Sequence, residues 1–500
     1  MSVKKSKKSI SDKKYYILDL SSTVIPVANY KFGKNEVYLK SLVDSECFFK
    51  DPKNKNQEKK LEKMINEIGF EWDPLSEAGH MRQMSHAVTI TEAIEKYSWL
   101  AVKNFCDKQG IPLYKVSGGE LFDVNVPDVK KQISIISKSS GLYGSNQYNV
   151  IVNEKNRVLR YNACIEKLSL AKRANLKNED LPVGFFEISK SYRFEEEREL
   201  QLCKRVRSFR IPELDVINDS LETSMKIAAD AHADILKGLD KLDPNYELLC
   251  SVTQDFLKEN FDFLKTIAKS IKKPILLAVY NDACCKDGVK IDIEYKTFDS
   301  LKSPVEIATC LVDDGSTEFS LGLKFQTENG LRKAVSILHV VFPFASVERF
   351  AYFLIDRAVK NETKAGFRQF PFWSSPIQIR IITTDNNSVE DGKKLAQELE
   401  LLNFRVDLDD RRISYKEKRK AEDLKWIPYV VTVGKSISSL KNLIIEDKIK
   451  ETIEKNKSKG DLIRKIKSEN DINIIVPRYV PMFLSKRAIN GLGQTKRKAR

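Results

Sequence analysis

The 500 residues, 42% hydrophobic and 31% charged, suffice for two or three ordinary domain cores. Lys and Arg number 85 against 70 Asp and Glu, and the resulting charge of +15 favours a polyanion, nucleic acid first, as partner. No apolar run reaches 18 residues, no signal peptide follows the basic first residues, and the eight cysteines form no CxxC pair or disulfide framework; a cytoplasmic protein with free thiols is expected.

In chain order, residues 1–14 and 491–500 are basic and poor in apolar side chains, and read as tails able to touch phosphate. YYILDLS and EVYLKSLV mark a short region of strand or helix, before the polar run Asp51 to Lys60 reads as a loop. Beyond Ser76, the helical spacing of Ile90, Ile94, Tyr97 and Ala101 predicts one long amphipathic helix that stops near Gly110-Ile111-Pro112. From 145 to 350 the pattern is mostly strand: YNVIVN, RVLRYNA, GFFEISKSYRF, PILLAVYN, VKIDIEYKTF, FSLGLKF and VSILHVVF, broken by helical stretches at 220–240 and 249–271. That predicts a large antiparallel sheet flanked by helices. After Phe370 the order becomes strand (IQIRIITT), helix with Leu395, Leu399 and Leu402 at i, i+4 and i+7, strand (FRVDLD), helix (414–424) and strand (YVVTVG). This is an α/β rhythm of its own, so the expected division is 1–75, 76–370 and 371–500.

The segment Tyr192-Arg193-Phe194-Glu195, a polar loop, then Arg205-Val206-Arg207-Ser208-Phe209 carries the clearest chemistry. Two strands bearing inward Arg and Glu can set a planar guanidinium on a phosphate while a carboxylate reads an adenine edge. The segment resembles motif 2 of class II aminoacyl-tRNA synthetases, and with its flanks it is similar to archaeal-type threonyl-tRNA synthetases. Further matches follow in the family's order. They are Ser76-Glu77-Ala78-Gly79-His80 with Arg82, Arg160-Tyr161-Asn162-Ala163-Cys164, Lys290-Ile291-Asp292, and Ala345-Ser346-Val347-Glu348-Arg349 for motif 3. Pro371 to Pro376, Val406 to Arg411, Trp426 to Val431 and Leu484-Ser485-Lys486-Arg487 resemble the C-terminal anticodon-binding domain, so the likeness runs over about residues 76–487.

The resemblance implies a class II catalytic domain over 76–370, an anticodon-binding α/β domain with a basic tail over 371–500, and a homodimer. It places Arg193 on the ATP α-phosphate, Glu195 on adenine, Phe209 and Arg349 on the two faces of the ring, Arg205 on phosphate or substrate carboxylate, and Lys290 at the carboxylate end of the substrate. It further implies Mg2+ with ATP, threonine as substrate, and tRNA(Thr) or another tRNA as partner, met in part by Arg411. The family's zinc, held by one Cys and two His, would here fall to Cys164, Asp215 and His339.

Departures cluster on the amino-acid side. Besides Asp215 for His, Glu213 stands for the Asp that contacts the substrate amine, Asp287 for a Tyr, and Leu311 for a Gln. Motif 3 begins with Ala345, and the motif 1 proline is missing around Val116-Ser117-Gly118-Gly119. The family's N-terminal editing domain has no counterpart in the first 75 residues, which implies that a separate protein removes mischarged serine. Two functions follow: a threonine–tRNA ligase without editing in cis, or a degenerate or re-purposed paralogue acting as a tRNA-binding accessory protein.

Overall fold

The computed structural model describes residues 13–50, 55–139, 146–434, 442–469 and 474–487. Of the basic tails, residues 1–12 and 491–500 lie outside the described residues, whereas Lys13 and Lys14 open a strand. The chain forms two compact units, one from Met1–Asn54, Ser98–Leu200 and Arg205–Phe350, the other from Lys55–Tyr97, Gln201–Lys204 and Ala351–Arg500.

The first unit is built on a ten-stranded sheet. Its order is Val24–Pro26, Lys13–Leu18, Ile275–Tyr280, Tyr246–Thr253, Ile291–Phe298, Pro304–Asp313, Ser336–Val341, Ser208–Asn218, Val183–Tyr192 and Leu113–Lys115. Neighbours are antiparallel except Tyr246–Thr253 with Ile275–Tyr280 and Leu113–Lys115 with Val183–Tyr192, which run parallel.

Period-two alternation along Ile291–Phe298 explains how the sheet builds a site. Ile291, Ile293 and Tyr295 point to the face covered by the amphipathic helix Leu221–Leu242, whose His232 meets the Tyr295 hydroxyl at 2.7 Å. Asp292, Glu294 and Lys296 point the other way, yet are as buried as their neighbours. Directly opposed residues share a face. Asp215, His339, Leu311, Asp292 and Ser251 therefore form one row across five strands, and Glu213, Val341, Thr309 and Glu294 form the next. One face is thus an ordinary core and the other a charged floor.

Three local expectations change. Residues 246–253, partly assigned to a helix at 249–271, form a strand in which every residue is buried. A strand buried on both faces lacks an apolar/polar alternation and cannot be told from a buried helix by periodicity. The helices Gln254–Glu259 and Phe261–Ile271 follow, the first opened by the Thr253 hydroxyl on the Phe256 amide at 3.3 Å. YNVIVN and RVLRYNA leave the main sheet for a small one of Leu121–Asp123, Lys155–Leu159 and Asn149–Val152. FSLGLKF becomes a 3-10 turn, Glu318–Ser320, and the short strand Lys324–Gln326. Ser220 caps the helix Leu221–Leu242 by accepting the Thr223 amide at 3.2 Å. Ser220→Ala should cost about 1 kcal/mol, read as a lower urea midpoint at unchanged slope.

The second unit contains a five-stranded sheet in the order Val406–Asp409, Ile379–Thr383, Tyr429–Val433, Leu443–Asp447 and Thr452–Lys457, parallel over the first three strands and antiparallel thereafter. Ile379, Ile381, Val406, Leu408 and Val431 pack with Leu395 and Leu399 of the helix Val389–Leu401. Leu402 lies one residue beyond that helix and is exposed, so the core stripe holds two of the three expected leucines. The helix expected at 414–424 is a single turn, Tyr415–Lys418, followed by the 3-10 segment Glu422–Trp426. The polar run expected as a loop becomes helical from Lys55: Lys55–Ile68 buries Leu61, Met64, Ile65 and Ile68, an i, i+3, i+4, i+7 stripe.

Candidate active site

The motif 2 strands Val183–Tyr192 and Ser208–Asn218 pair along most of their length, and Arg193 continues the ladder with its amide on the Arg207 carbonyl at 2.9 Å. The Arg193 guanidinium lies 4.5 Å from the Tyr161 ring centroid and 5.2 Å from that of Phe209. Its Nε is buried and has no hydrogen-bond partner among the described residues. A cation held between two rings with an unsatisfied donor is ready for an anion. Burial works against its charge, but Tyr161, Asp287 and Glu195 outweigh that and raise its pKa.

Glu195 pairs with Arg205, Oε2 to Nε 3.0 Å, and Arg205 also reaches Glu199 at 3.3 Å. Phe209 is buried beneath Arg193. Arg349 opens the helix Val347–Lys360 with its amide on the Ser346 hydroxyl at 3.2 Å, and its Nη1 donates to the Glu306 carbonyl at 3.5 Å. Burial lowers its pKa, and the charges of Glu306, Arg193, Arg205 and Glu195 all act on it. The four groups assigned to ATP thus share one field with an excess of arginine. Lys290 faces another way, donating to the Ala283 carbonyl at 3.0 Å and lying 3.8 Å from Asp314. Asp287 is exposed on the turn before it, with φ of 58°.

On the amino-acid side, the Cys164 sulfur lies 3.5 Å from His339 Nδ1, which meets Asp215 Oδ1 at 2.5 Å. The three residues expected as metal ligands are therefore adjacent. Donor atoms of Cys164, Glu213 and His339 also lie within 4.8 Å of one another. Sequence reasoning missed Lys167. Its ammonium is enclosed, 3.1 Å from Asp215 Oδ2 and 3.4 Å from Glu213 Oε2, and that Glu213 oxygen also accepts the Ala163 amide at 3.2 Å. Burial alone would lower the Lys167 pKa, but Asp215 and Glu213 outweigh it and hold the pKa above its ordinary value. Burial likewise pushes Asp215 up, and Lys167 with His339 brings it below the usual range. Burial raises the Cys164 thiol.

This set does not fit zinc. Asp215 Oδ1 is held by His339, and Oδ2, which has no hydrogen-bond partner among the described residues, faces the Lys167 ammonium at 3.1 Å. Glu213 and Asp215 are already neutralised in part by the Lys167 ammonium, and a dication 4 Å from that ammonium would be opposed by about 8 kcal/mol at an effective dielectric of 20, which offsets the like-sized attraction of one carboxylate. Spacing could have revealed Lys167, one helical turn after Cys164 on Cys164–Ala174.

The charged floor beyond Leu311 was also missed. Lys286 bonds Glu294 and lies 3.9 Å from Asp292 and 4.0 Å from Glu306, while Lys296 bonds Glu294 and lies 3.5 Å from Glu306. In the second unit, Arg411 is held by Asp409, with contacts of 2.8 and 2.6 Å.

Residues 378–468 match the family described as Anticodon binding domain. A threonine–tRNA ligase of Caldivirga maquilingensis is 31% identical over 473 residues, 95% of this chain and 74% of that relative. Those of Thermofilum pendens and Staphylothermus marinus are each 32% identical, over 88% and 95% of this chain and 70% and 75% of their own length. Among solved structures, the RNA binding domain of threonyl-tRNA synthetase from Cryptosporidium parvum Iowa II shares the fold, with a TM-score of 0.67 at 18% identity over 82% of this chain and 98% of that one. With identity above three-tenths sustained over most of both sequences, the chain belongs to the threonine–tRNA ligase family.

Proposed function

We propose that the chain is a threonine–tRNA ligase that uses ATP with Mg2+ to activate threonine and passes the acyl group to tRNA(Thr). The observation that carries this is Arg193, a guanidinium between Tyr161 and Phe209 whose buried Nε lacks a partner among the described residues. In this reading the threonine carboxylate attacks the α-phosphorus, pyrophosphate leaves, and Arg193 stabilises charge growing on the α-phosphate oxygens. Glu195 reads the adenine edge, Phe209 and Arg349 flank the ring, Arg205 assists at the phosphates, and Lys290 turns towards the carboxylate when substrate binds. Glu213 is the group for the substrate amine. Arg411, oriented by Asp409, meets tRNA.

We further propose that the enzyme works in the cytoplasm as a homodimer. The small sheet leaves Leu121, Ile151 and Val152 exposed, and sedimentation velocity should give twice the chain mass. The second function, a tRNA-binding paralogue without catalysis, draws its support from Lys167 and Asp215 at the amino-acid pocket.

ATP–pyrophosphate exchange separates the two. Purified chain with Mg2+ and each standard amino acid in turn should exchange most strongly with threonine, with serine as the weaker second substrate. Absence of exchange with every amino acid, in folded protein that still binds tRNA, would leave the accessory role.

A further inference from the structure

We propose that the resident cation of the amino-acid pocket is the Lys167 ammonium rather than a metal ion, so that the pocket is organised without zinc. This deepens the ligase reading and rests on it. Cys164 and Lys167 leave the same face of one helix. Across from them stand Glu213 and Asp215, two residues apart on one strand and so on one face, with His339 opposite Asp215. Lys167 Nζ sits between the two carboxylates at 3.4 and 3.1 Å, with no solvent exposure. In a zinc site of Cys, His and carboxylate ligands, the metal supplies the positive charge that the anionic donors need. Here the lysine supplies it, with His339 completing the hydrogen bond to the other Asp215 oxygen.

The same arrangement explains Asp215 chemically. A neutral imidazole there would give Lys167 no countercharge, whereas a carboxylate pairs with the ammonium and His339 together. Lys167 is a positioning residue: enclosed, it fixes Glu213 directly, and Asp215 with His339 behind it, without touching the substrate. Discrimination for a hydroxyl-bearing amino acid then comes from hydrogen bonds of this cluster instead of metal coordination.

The test is metal content and cobalt spectroscopy on the full chain. Protein grown with added zinc sulfate and purified without chelator should carry far less than stoichiometric zinc. Titration with cobalt chloride should give no thiolate-to-cobalt charge-transfer band. In folded Lys167→Ala, which frees volume and one positive charge, cobalt should produce that band, and Cys164→Ala added to it should abolish the band. Stoichiometric zinc in the native chain, lost on Cys164→Ala, would overturn the proposal, and so would folded Lys167→Ala that still refuses cobalt. Should Lys167→Ala not fold, the native titration decides alone. A metal-free chain inactive in exchange would sink the ligase reading and leave this one; an active zinc-bound chain would do the reverse.

Discussion

Arg193→Ala is expected to lower threonine-dependent ATP–pyrophosphate exchange on the order of 1000-fold, the loss typical of a donor aimed at charge that develops in the transition state. The expected effect is large because the guanidinium is already oriented by the Tyr161 and Phe209 rings, and in the proposed role it would meet the phosphate without reorganising. Stability should change little by comparison, since each cation–π contact contributes only about 0.5–2 kcal/mol. Arg193→Lys keeps a charge but not the fork, and should recover part of the rate at most. Single-turnover adenylate formation, followed alongside the melting temperature, separates lost chemistry from lost fold. Retention of exchange within a few-fold in Arg193→Ala would remove Arg193 from the α-phosphate.

Arg380→Met should cost the second unit about 3–5 kcal/mol, the range for removing one partner of a buried ion pair. Arg380 is 1% exposed on the strand Ile379–Thr383, bonding both Asp407 oxygens and reaching Asp423 Oδ2 at 2.8 Å. Its loss leaves Asp423 unpaired and Asp407 with the Arg487 contact at 2.8 Å. The sign of the pH dependence follows. Burial pushes the Asp423 carboxyl up, Arg380 outweighs burial, and its pKa falls from 3.8 to about 2. A folded value below the unfolded one gives stability that is fully present above 3.8 and lost as pH falls towards about 2. The gap in urea midpoint between wild type and Arg380→Met should therefore be widest near neutrality and narrow through that acid window. A gap independent of pH would show that lost packing, not charge, sets the cost.

The arrangement around Arg193 was legible in sequence because it is local. Arg193, Glu195, Arg205 and Phe209 occupy two adjoining strands and the loop between them, so the spacing alone carries the arrangement. The amino-acid side was legible only in part. Cys164, Asp215 and His339 meet as the family pattern implies, but the partners of Lys167 lie 46 and 48 positions along the chain, and no periodicity links a helix position to a strand that distant. Asp292 and Glu294 look in sequence like the polar face of a half-solvated strand. Their burial depends on Lys286, Lys296 and Glu306, contributed by the preceding turn, the same strand and its neighbour. Residues 249–253 read as helix for a different reason, since a strand covered on both sides removes the alternation by which strands are recognised.

The sheet also constrains how the chain is assembled during synthesis. Its Lys13–Leu18 strand pairs with Ile275–Tyr280, so more than half of the protein must leave the ribosome before that edge can close. At about 5–20 residues per second the early strand, paired on one side with Val24–Pro26, waits on the order of tens of seconds with the side meant for Ile275–Tyr280 unmatched. During that interval the nascent protein has an open β edge, Tyr15, Tyr16 and Ile17 included, and its yield should depend on how quickly elongation proceeds through the stretch in between.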